Sequence, residues 1–119
     1  MLLVDDSAFA RRKFGRELDA AGAEVTAVGS AAEALAALTA GTFDVLVCDL
    51  RLRGTDGHAL IRTVRREGGA NAGIRAIAIT AHADDESRAR ALESGFDDYL
   101  PKLVSALLVP AVARLRQPR

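Results

Sequence analysis

The stretch Val45–Asp49, with the sequence Val-Leu-Val-Cys-Asp, decides the fold of this chain. It is a short apolar run that ends on a carboxylate, and the turn-forming run Arg-Gly-Thr-Asp-Gly follows at 53–57. An apolar run flanked by turn signals is typical of a strand buried on both faces, as in a parallel sheet. In open α/β sheets the reactive site lies just outside the carboxyl ends of the strands. Asp49 stands at such an end, although an Asp there is also common as a turn residue.

Predicted strands and helices alternate along the whole chain. Apolar runs predict the strands, and apolar residues at helical spacing predict the helices. The strands are predicted at 2–4, 24–28, 45–49, 74–79 and 97–100, and the helices at 7–21, 30–41, 57–67, 84–94 and from 105 onward. Short connections between parallel strands require right-handed crossovers with helices on both faces. We therefore predict one α/β domain over 1–119, a doubly wound five-stranded parallel sheet in the flavodoxin-like order 2-1-3-4-5.

In that order the first and third strands are neighbours, and acidic residues follow both. Asp5 and Asp6 follow the first strand and Asp49 ends the third, so we expect the three carboxylates to meet. A like-charge pair 4 Å apart costs roughly 4 kcal/mol at an effective dielectric constant of 20. Lys102, past the fifth strand, offers one balancing charge, and a hard divalent cation such as Mg²⁺ would offer the rest. Such a site suits phosphoryl transfer with an Asp carboxylate as the nucleophile.

Composition limits the function classes. The chain has 119 residues, half of them apolar, and its 16 basic and 16 acidic residues give no net charge. That balance argues against a dedicated nucleic-acid binder. The single Cys48 cannot form an intramolecular disulfide, so a reducing, cytoplasmic compartment is expected. No apolar stretch approaches the ~20 residues of a membrane span, and no signal peptide is visible. The chain begins almost directly in a strand, which suits a whole protein or a piece of a longer one.

With these residues in these places, the whole chain resembles a response-regulator receiver domain of bacterial two-component signalling. The matching residues, in chain order, are Asp5-Asp6, Asp49, Asp56-Gly57, Thr80-Ala81, Tyr99 and Lys102. The resemblance implies that Asp49 accepts a phosphoryl group from a phosphohistidine of a histidine kinase or histidine phosphotransfer protein. It also implies a phosphoprotein that assists its own phosphotransfer and autodephosphorylation without being an ordinary enzyme.

The resemblance assigns further roles at the site. Asp6 and Asp49 would bind Mg²⁺ directly with the backbone carbonyl of Arg51, and Asp5 mainly through a bound water. Thr80 and Lys102 would hold phosphoryl oxygens. The conformational switch would couple Thr80 to Tyr99, and Arg51 and His82 would set the phosphoryl lifetime. A monomer or a phosphorylation-dependent homodimer is implied.

The chain departs from the family pattern at three places. Leu103 follows Lys102 where receivers usually have a cis proline, so a trans bond with a displaced ammonium is favoured over a strained cis bond. Arg53 stands where proline is common. Pro110 lies inside the predicted last helix and should kink it or delay its start.

Other interpretations stay open. A receiver-like interaction module that works without phosphate is supported only by Leu103, and a receiver segment of a hybrid histidine kinase fits equally. An aspartyl phosphohydrolase of the haloacid-dehalogenase type would favour a second Asp at the position of Arg51. Taken singly, the candidates also have ordinary interpretations: capping for Asp5 and Asp6, a strand end for Thr80, core packing for Tyr99 and Cys48, and solvated surface for Lys102, His58, His82, Arg11, Arg12 and Arg16.

Overall fold

The computed structural model describes residues 1–117, except the side chains of 103–105. The described strands are β1 (Leu2–Val4), β2 (Thr26–Val28), β3 (Val45–Asp49), β4 (Arg75–Thr80) and β5 (Asp98–Pro101). The helices are α1 (Ala8–Ala20), α2 (Ala31–Ala40), α3 (Gly57–Glu67), α4 (Asp85–Ser94) and α5 (Leu108–Leu115), with 3-10 helices at Gly69–Asn71 and Lys102–Leu107. All strand pairs are parallel, in the order β2-β1-β3-β4-β5. The predicted fold class and strand order are confirmed.

The central strand β3 is buried along its whole length, and its alternate side chains enter two separate cores. Leu46 and Cys48 pack among apolar side chains of α2, α3 and β4. Val45 and Val47 pack on the opposite face against α1 and α5, where Phe14 is a central contact. Because side chains alternate across a strand, a fully apolar strand requires helices on both faces, as the sequence predicts.

The register of the sheet brings the site residues to one edge. Val4 pairs with Cys48, and Asp49 pairs with Ile79. The residues that come next, Asp5 and Thr80, therefore flank Asp49 on its two sides. The fifth strand pairs Pro101 with Thr80, so Lys102 also leaves the sheet at this edge.

Three helix and strand ends differ from or refine the prediction. Helix α1 ends at Ala20, one residue before its predicted end, and Ala21 is exposed. The edge strand β2 is shorter than 24–28. Pro110 lies in the first turn of α5, where its missing N–H breaks no helical bond, so the delayed helix start is confirmed. Among the described helices, none combines the length and apolar character needed to cross a bilayer.

Candidate functional site

The structure brings three carboxylates together at the carboxyl edge of the sheet. One oxygen each from Asp5, Asp6 and Asp49 lies within 4.8 Å of the other two. Asp5 and Asp49 are 0% and 4% exposed, so two of the charges lie out of water. Asp6 is partly exposed, and its Oδ2 lies 3.9 Å from Nε of the surface residue Arg53.

The ammonium group of Lys102 lies between two of these carboxylates. Its Nζ is 2.8 Å from Asp5 Oδ2 and 3.1 Å from Asp49 Oδ2. The expectation of a displaced ammonium is therefore wrong, because Lys102 opens a 3-10 helix directly after β5 and its side chain starts beside the cluster. The described backbone contains no cis peptide bond, in agreement with the trans Lys102–Leu103 bond favoured from the sequence. Three carboxylates and one ammonium leave the site with a formal charge of −2.

Burial and hydrogen bonds shift the pKa values of this pair. Burial raises the pKa of Asp49, although the Arg51 N–H and the Lys102 ammonium oppose that shift. Burial alone would lower the pKa of Lys102, but hydrogen bonds to Asp5 and Asp49 outweigh it, and the pKa is raised. The Lys102 side chain is therefore held in its charged ammonium form. The Asp49 carboxylate, in contrast, takes up a proton more readily than an exposed carboxylate.

Backbone donors orient the carboxylates, and Lys102 pairs with the remaining buried oxygen of Asp5. Ser7 N donates to Asp5 Oδ1 at 2.9 Å, and Arg51 N donates to Asp49 Oδ1 at 3.1 Å. Among the described residues, Asp5 Oδ2 has no partner other than the Lys102 ammonium. A buried carboxylate with so few partners, beside two more carboxylates, belongs to the kind of oxygen-rich ligand set that Mg²⁺ takes. The residues present fit a hard divalent cation.

A close backbone contact explains the Asp56-Gly57 motif after β3. Asp56 caps α3 by accepting a hydrogen bond from Ala59 N at 2.7 Å. A β-carbon on Gly57 would lie 2.6 Å from the carbonyl oxygen of Asp49 and 3.0 Å from Leu50 Cα. Only glycine allows α3 to start this close to Asp49, so the motif fixes the turn beside the candidate phosphoacceptor.

Thr80 and Tyr99 are buried on the other side of Asp49, and both contact the backbone of His82. Thr80 Oγ1 accepts a hydrogen bond from His82 N at 3.2 Å. Tyr99 Oη donates to the His82 carbonyl at 3.4 Å and accepts from Asp84 N at 3.3 Å. The side chains of His82 and Arg51 are both exposed at this edge.

Two residues with predicted solvated side chains are in fact engaged. His58 is buried, and its Nδ1 lies 2.9 Å from Ser94 Oγ; burial lowers its pKa. Arg11 is half-buried and donates from Nη1 to the Asp5 carbonyl at 2.7 Å. The His58–Ser94 contact joins residues 36 positions apart and has no sequence signal. Cys48 is buried as predicted, donates from Sγ to the Asp49 carbonyl at 3.2 Å, and its pKa is strongly raised by burial.

The family model described as "Response regulator receiver domain" matches residues 1–112 of the chain. This chain belongs to the response regulator receiver domain family. The resemblance inferred from the acidic strand ends is thereby confirmed. Receiver domains are parts of two-component response regulators, interact with histidine kinases and generally bind Mg²⁺ at an acidic pocket. In this chain the structure places three carboxylates, those of Asp5, Asp6 and Asp49, in one acidic cluster.

Relatives and solved structures agree with this assignment. The DNA-binding transcriptional regulator NtrC of Klebsiella pneumoniae is 38% identical over 100 residues, covering 84% of this chain and 21% of NtrC. The chain therefore spans about a fifth of that relative's length. The receiver domain of the Francisella response regulator 1452 superposes with a TM-score of 0.89 at 27% identity, covering 97% of this chain and 93% of the other.

One further similar structure contains a phosphorylated aspartic acid. It is a response regulator from Burkholderia pseudomallei with a phosphorylated aspartic acid, a calcium ion and citrate. It matches with a TM-score of 0.81 at 25% identity, covering 98% of this chain and 65% of the other.

Proposed function

We propose that this receiver domain is a phosphoacceptor switch in which Asp49 takes a phosphoryl group from a phosphohistidine of a histidine kinase or histidine phosphotransfer protein. The observation that carries the proposal is the Lys102 ammonium, which contacts both Asp5 and Asp49. A lysine bridging two buried carboxylates puts positive charge beside the proposed nucleophile, and the remaining formal charge of −2 is offset by a divalent cation before an anionic phosphoryl group approaches. The phosphorylated aspartic acid of the Burkholderia structure supports the same assignment.

The transfer step follows from the groups at the edge of the sheet. A carboxylate oxygen of Asp49 attacks phosphorus, the P–N bond of the phosphohistidine breaks, and the imidazole leaves. The product is an acyl phosphate on Asp49. Lys102, now beside Asp49, and Thr80, one residue past the register partner of Asp49, hold phosphoryl oxygens. Attack by water on phosphorus later releases inorganic phosphate and restores the carboxylate.

Mg²⁺ would be held by Asp6 and Asp49 directly, by the backbone carbonyl of Arg51, and by Asp5 mainly through a water. The spacing of the three carboxylates and the buried Asp5 Oδ2, whose one described partner is Lys102, support this ligand set. When bound, Mg²⁺ supplies positive charge that offsets the developing charge on the transferring phosphoryl oxygens. Arg51 also keeps its N–H on Asp49 Oδ1, which orients the carboxylate for attack.

The response would pass through Thr80 and Tyr99, with Arg51 and His82 controlling the phosphoryl lifetime. The interaction module without phosphate loses its only support, because Lys102 lies in the cluster despite Leu103. Four further expectations remain predictions. They are a monomer or a phosphorylation-dependent homodimer, the alternative of membership in a hybrid histidine kinase, a cytoplasmic location, and the absence of direct nucleic-acid binding by these residues.

Incubation with acetyl phosphate and Mg²⁺, followed by intact-protein mass spectrometry and peptide mapping, tests the proposal. We expect one adduct of about 80 Da on Asp49. Asp49→Ala and a sample with EDTA should lack it, whereas Asp44→Ala, at the opposite end of β3, should keep it. No adduct on the wild-type chain with either acetyl phosphate or a phosphorylated histidine kinase would overturn the proposal.

A further inference from the structure

Arg11 is the one basic residue of α1 whose described hydrogen bond reaches an acidic-site residue. Its Nη1 donates to the carbonyl oxygen of Asp5 at 2.7 Å, within the length expected of a strong N–H···O bond. Asp5 lies past the last residue of β1. The guanidinium therefore donates a hydrogen bond to a carbonyl at the point where the chain leaves the sheet and turns into α1.

Asp5 is held at four points, and Arg11 supplies the one on its carbonyl. Its N–H donates to Val28 O at 3.1 Å, its Oδ1 accepts from Ser7 N, and its Oδ2 faces Lys102. The Asp5 carbonyl belongs to the same planar peptide unit as the N–H of Asp6. Fixing that carbonyl fixes the plane from which Asp6 and its carboxylate start.

The turn before α2 leaves space for the Arg11 guanidinium, because Gly29 has no side chain. A β-carbon on Gly29 would lie 3.0 Å from Arg11 Nη1 and 3.5 Å from its Cζ, so the missing side chain leaves the space that Arg11 uses. Glu33 Oε2, which accepts from Gly29 N at 2.7 Å, would lie 3.7 Å from the same β-carbon. Arg11 thus lies between β1 and the capping box of α2, in which Ser30 Oγ accepts from Glu33 N at 3.1 Å and Glu33 accepts from Gly29 N.

We propose that Arg11 is a positioning residue for the phosphoryl-transfer site, which holds the Asp5–Asp6 peptide so that both carboxylates keep the spacing needed for a divalent cation. The inference rests on the proposed function, since it assigns Arg11 to that site. Arg11 touches neither metal nor phosphoryl group. Its loss should weaken Mg²⁺ binding while leaving the chemistry at saturating Mg²⁺ largely intact.

Isothermal titration calorimetry with Mg²⁺ on Arg11→Met, Arg11→Lys and Arg12→Met tests the inference. Arg12 is an exposed neighbour on the same helix and serves as the matched control. We expect Arg11→Met to raise the Kd for Mg²⁺ about tenfold, the lower end of the effect of removing an outer-shell partner of a metal site. Arg11→Lys should restore part of the affinity, and Arg12→Met should match the wild type. Phosphorylation by acetyl phosphate should show a raised half-saturating Mg²⁺ concentration with a maximal rate near that of the wild type.

Arg11→Met with the Mg²⁺ affinity of the wild type, or an equal loss in Arg12→Met, would overturn the inference. If Arg11→Met does not fold by circular dichroism, Arg11→Gln, whose amide is two atoms shorter than the guanidinium, carries the same expectation. Failure of the proposed function has a different signature: the wild-type chain itself would then bind no Mg²⁺ and accept no phosphoryl group.

Discussion

The hydroxyl group of Tyr99 donates a hydrogen bond to the backbone carbonyl of His82 across 3.4 Å. The N–H of the same His82 donates to the hydroxyl of Thr80 at 3.2 Å. One residue thus connects the two side chains assigned to the switch. The Tyr99 bond is long for an O–H···O bond, and the Thr80 bond lies at the upper end of the N–H···O range, so a stronger charge-assisted bond could replace either one.

Thr80→Ala should uncouple phosphorylation from the conformational response. An acyl phosphate adds roughly −2 charge beside Asp49, and a hydroxyl that turns toward it gains about 1.5–3 kcal/mol from a charge-assisted bond. That turn would release His82 N–H and loosen the contact of Tyr99 with the same residue. Thr80→Ala should be phosphorylated but should lose the phosphorylation-linked shifts of residues 81–84 in amide NMR spectra. Thr80→Ser is the control that keeps the hydroxyl; full shifts in Thr80→Ala would contradict this account.

Arg51→Ala and His82→Ala should each change the lifetime of the acyl phosphate. Both side chains are exposed, Arg51 two residues past Asp49 and His82 two residues past Thr80, and the intervening Ala81 is small and exposed. A contact with the phosphoryl group or the water worth about 1 kcal/mol corresponds to about a fivefold change in rate. The decay of the adduct, followed by mass spectrometry, measures this. Arg88→Ala, on the exposed side of α4, should decay like the wild type; if all three variants do, neither residue controls the lifetime.

Mg²⁺ should stabilise the fold, and Asp6→Ala should remove that effect. At ten times its Kd, a ligand that binds only the native state adds about 1.4 kcal/mol. Without Mg²⁺, Asp6→Ala should melt about 4 °C above the wild type, because it relieves repulsion worth about 1 kcal/mol near the surface. Differential scanning calorimetry with Mg²⁺ and with EDTA makes the comparison. Equal melting temperatures of the wild type in both buffers would show that no cation binds there.

Gly57→Ala should destabilise the domain by about 1–3 kcal/mol or more, the usual cost of overpacking. The added methyl group would lie 2.6 Å from the Asp49 carbonyl, and backbone cannot yield as a flexible side chain does. Urea unfolding measures the loss. Gly15→Ala, where an added methyl group would have no neighbour within 4 Å, is the matched control and should be neutral or stabilising. A destabilisation of Gly57→Ala no larger than that of Gly15→Ala would show that α3 can shift away from Asp49.

His58 should make the domain less stable as the solution becomes acidic. Burial, with Arg90 and Arg62, lowers its pKa below the usual value despite the opposing charge of Asp56. The unfolded state therefore binds the proton first, and the free energy of unfolding falls as pH drops through the ordinary titration range of histidine. Urea unfolding at pH 7.5 and 5.5 should show a smaller fall in His58→Asn than in the wild type. Contributions from Asp49 cancel in that difference, and the exposed His82→Asn should keep the wild-type fall; equal falls in all three would refute the prediction.

The sequence was sufficient for the elements that repeat a simple pattern. The bounds of β3 and α3 match the predicted ones. An uninterrupted apolar run allows few other strand ends, and apolar residues at helical spacing after a glycine allow few other helix ends. The acidic cluster followed from strand order alone, since side chains at the ends of neighbouring parallel strands must meet.

Long-range contacts of polar side chains could not be predicted in the same way. Arg11 has the spacing of a solvated helix face, and nothing in its own neighbourhood points to the Asp5 carbonyl. The only signal was Gly29 before the capping box, a place where small size permits a close approach. The missing proline after Lys102 predicted a displaced ammonium. The ammonium is not displaced, because the starting point of the Lys102 side chain is set by β5, which ends one residue earlier.

Cys48 carries the one thiol of the sequence, so its rate of alkylation can report local opening of the unmodified protein. Cys48 directly precedes Asp49 and is fully buried, and burial strongly raises the pKa of its thiol. An alkylating reagent can therefore reach the reactive thiolate only after the sheet opens locally. The labelling half-time would therefore time the opening of the strand that carries the phosphoacceptor, with no dye or tag introduced. Any bound ion or partner that steadies this strand would lengthen that half-time, in purified protein or in a crude extract.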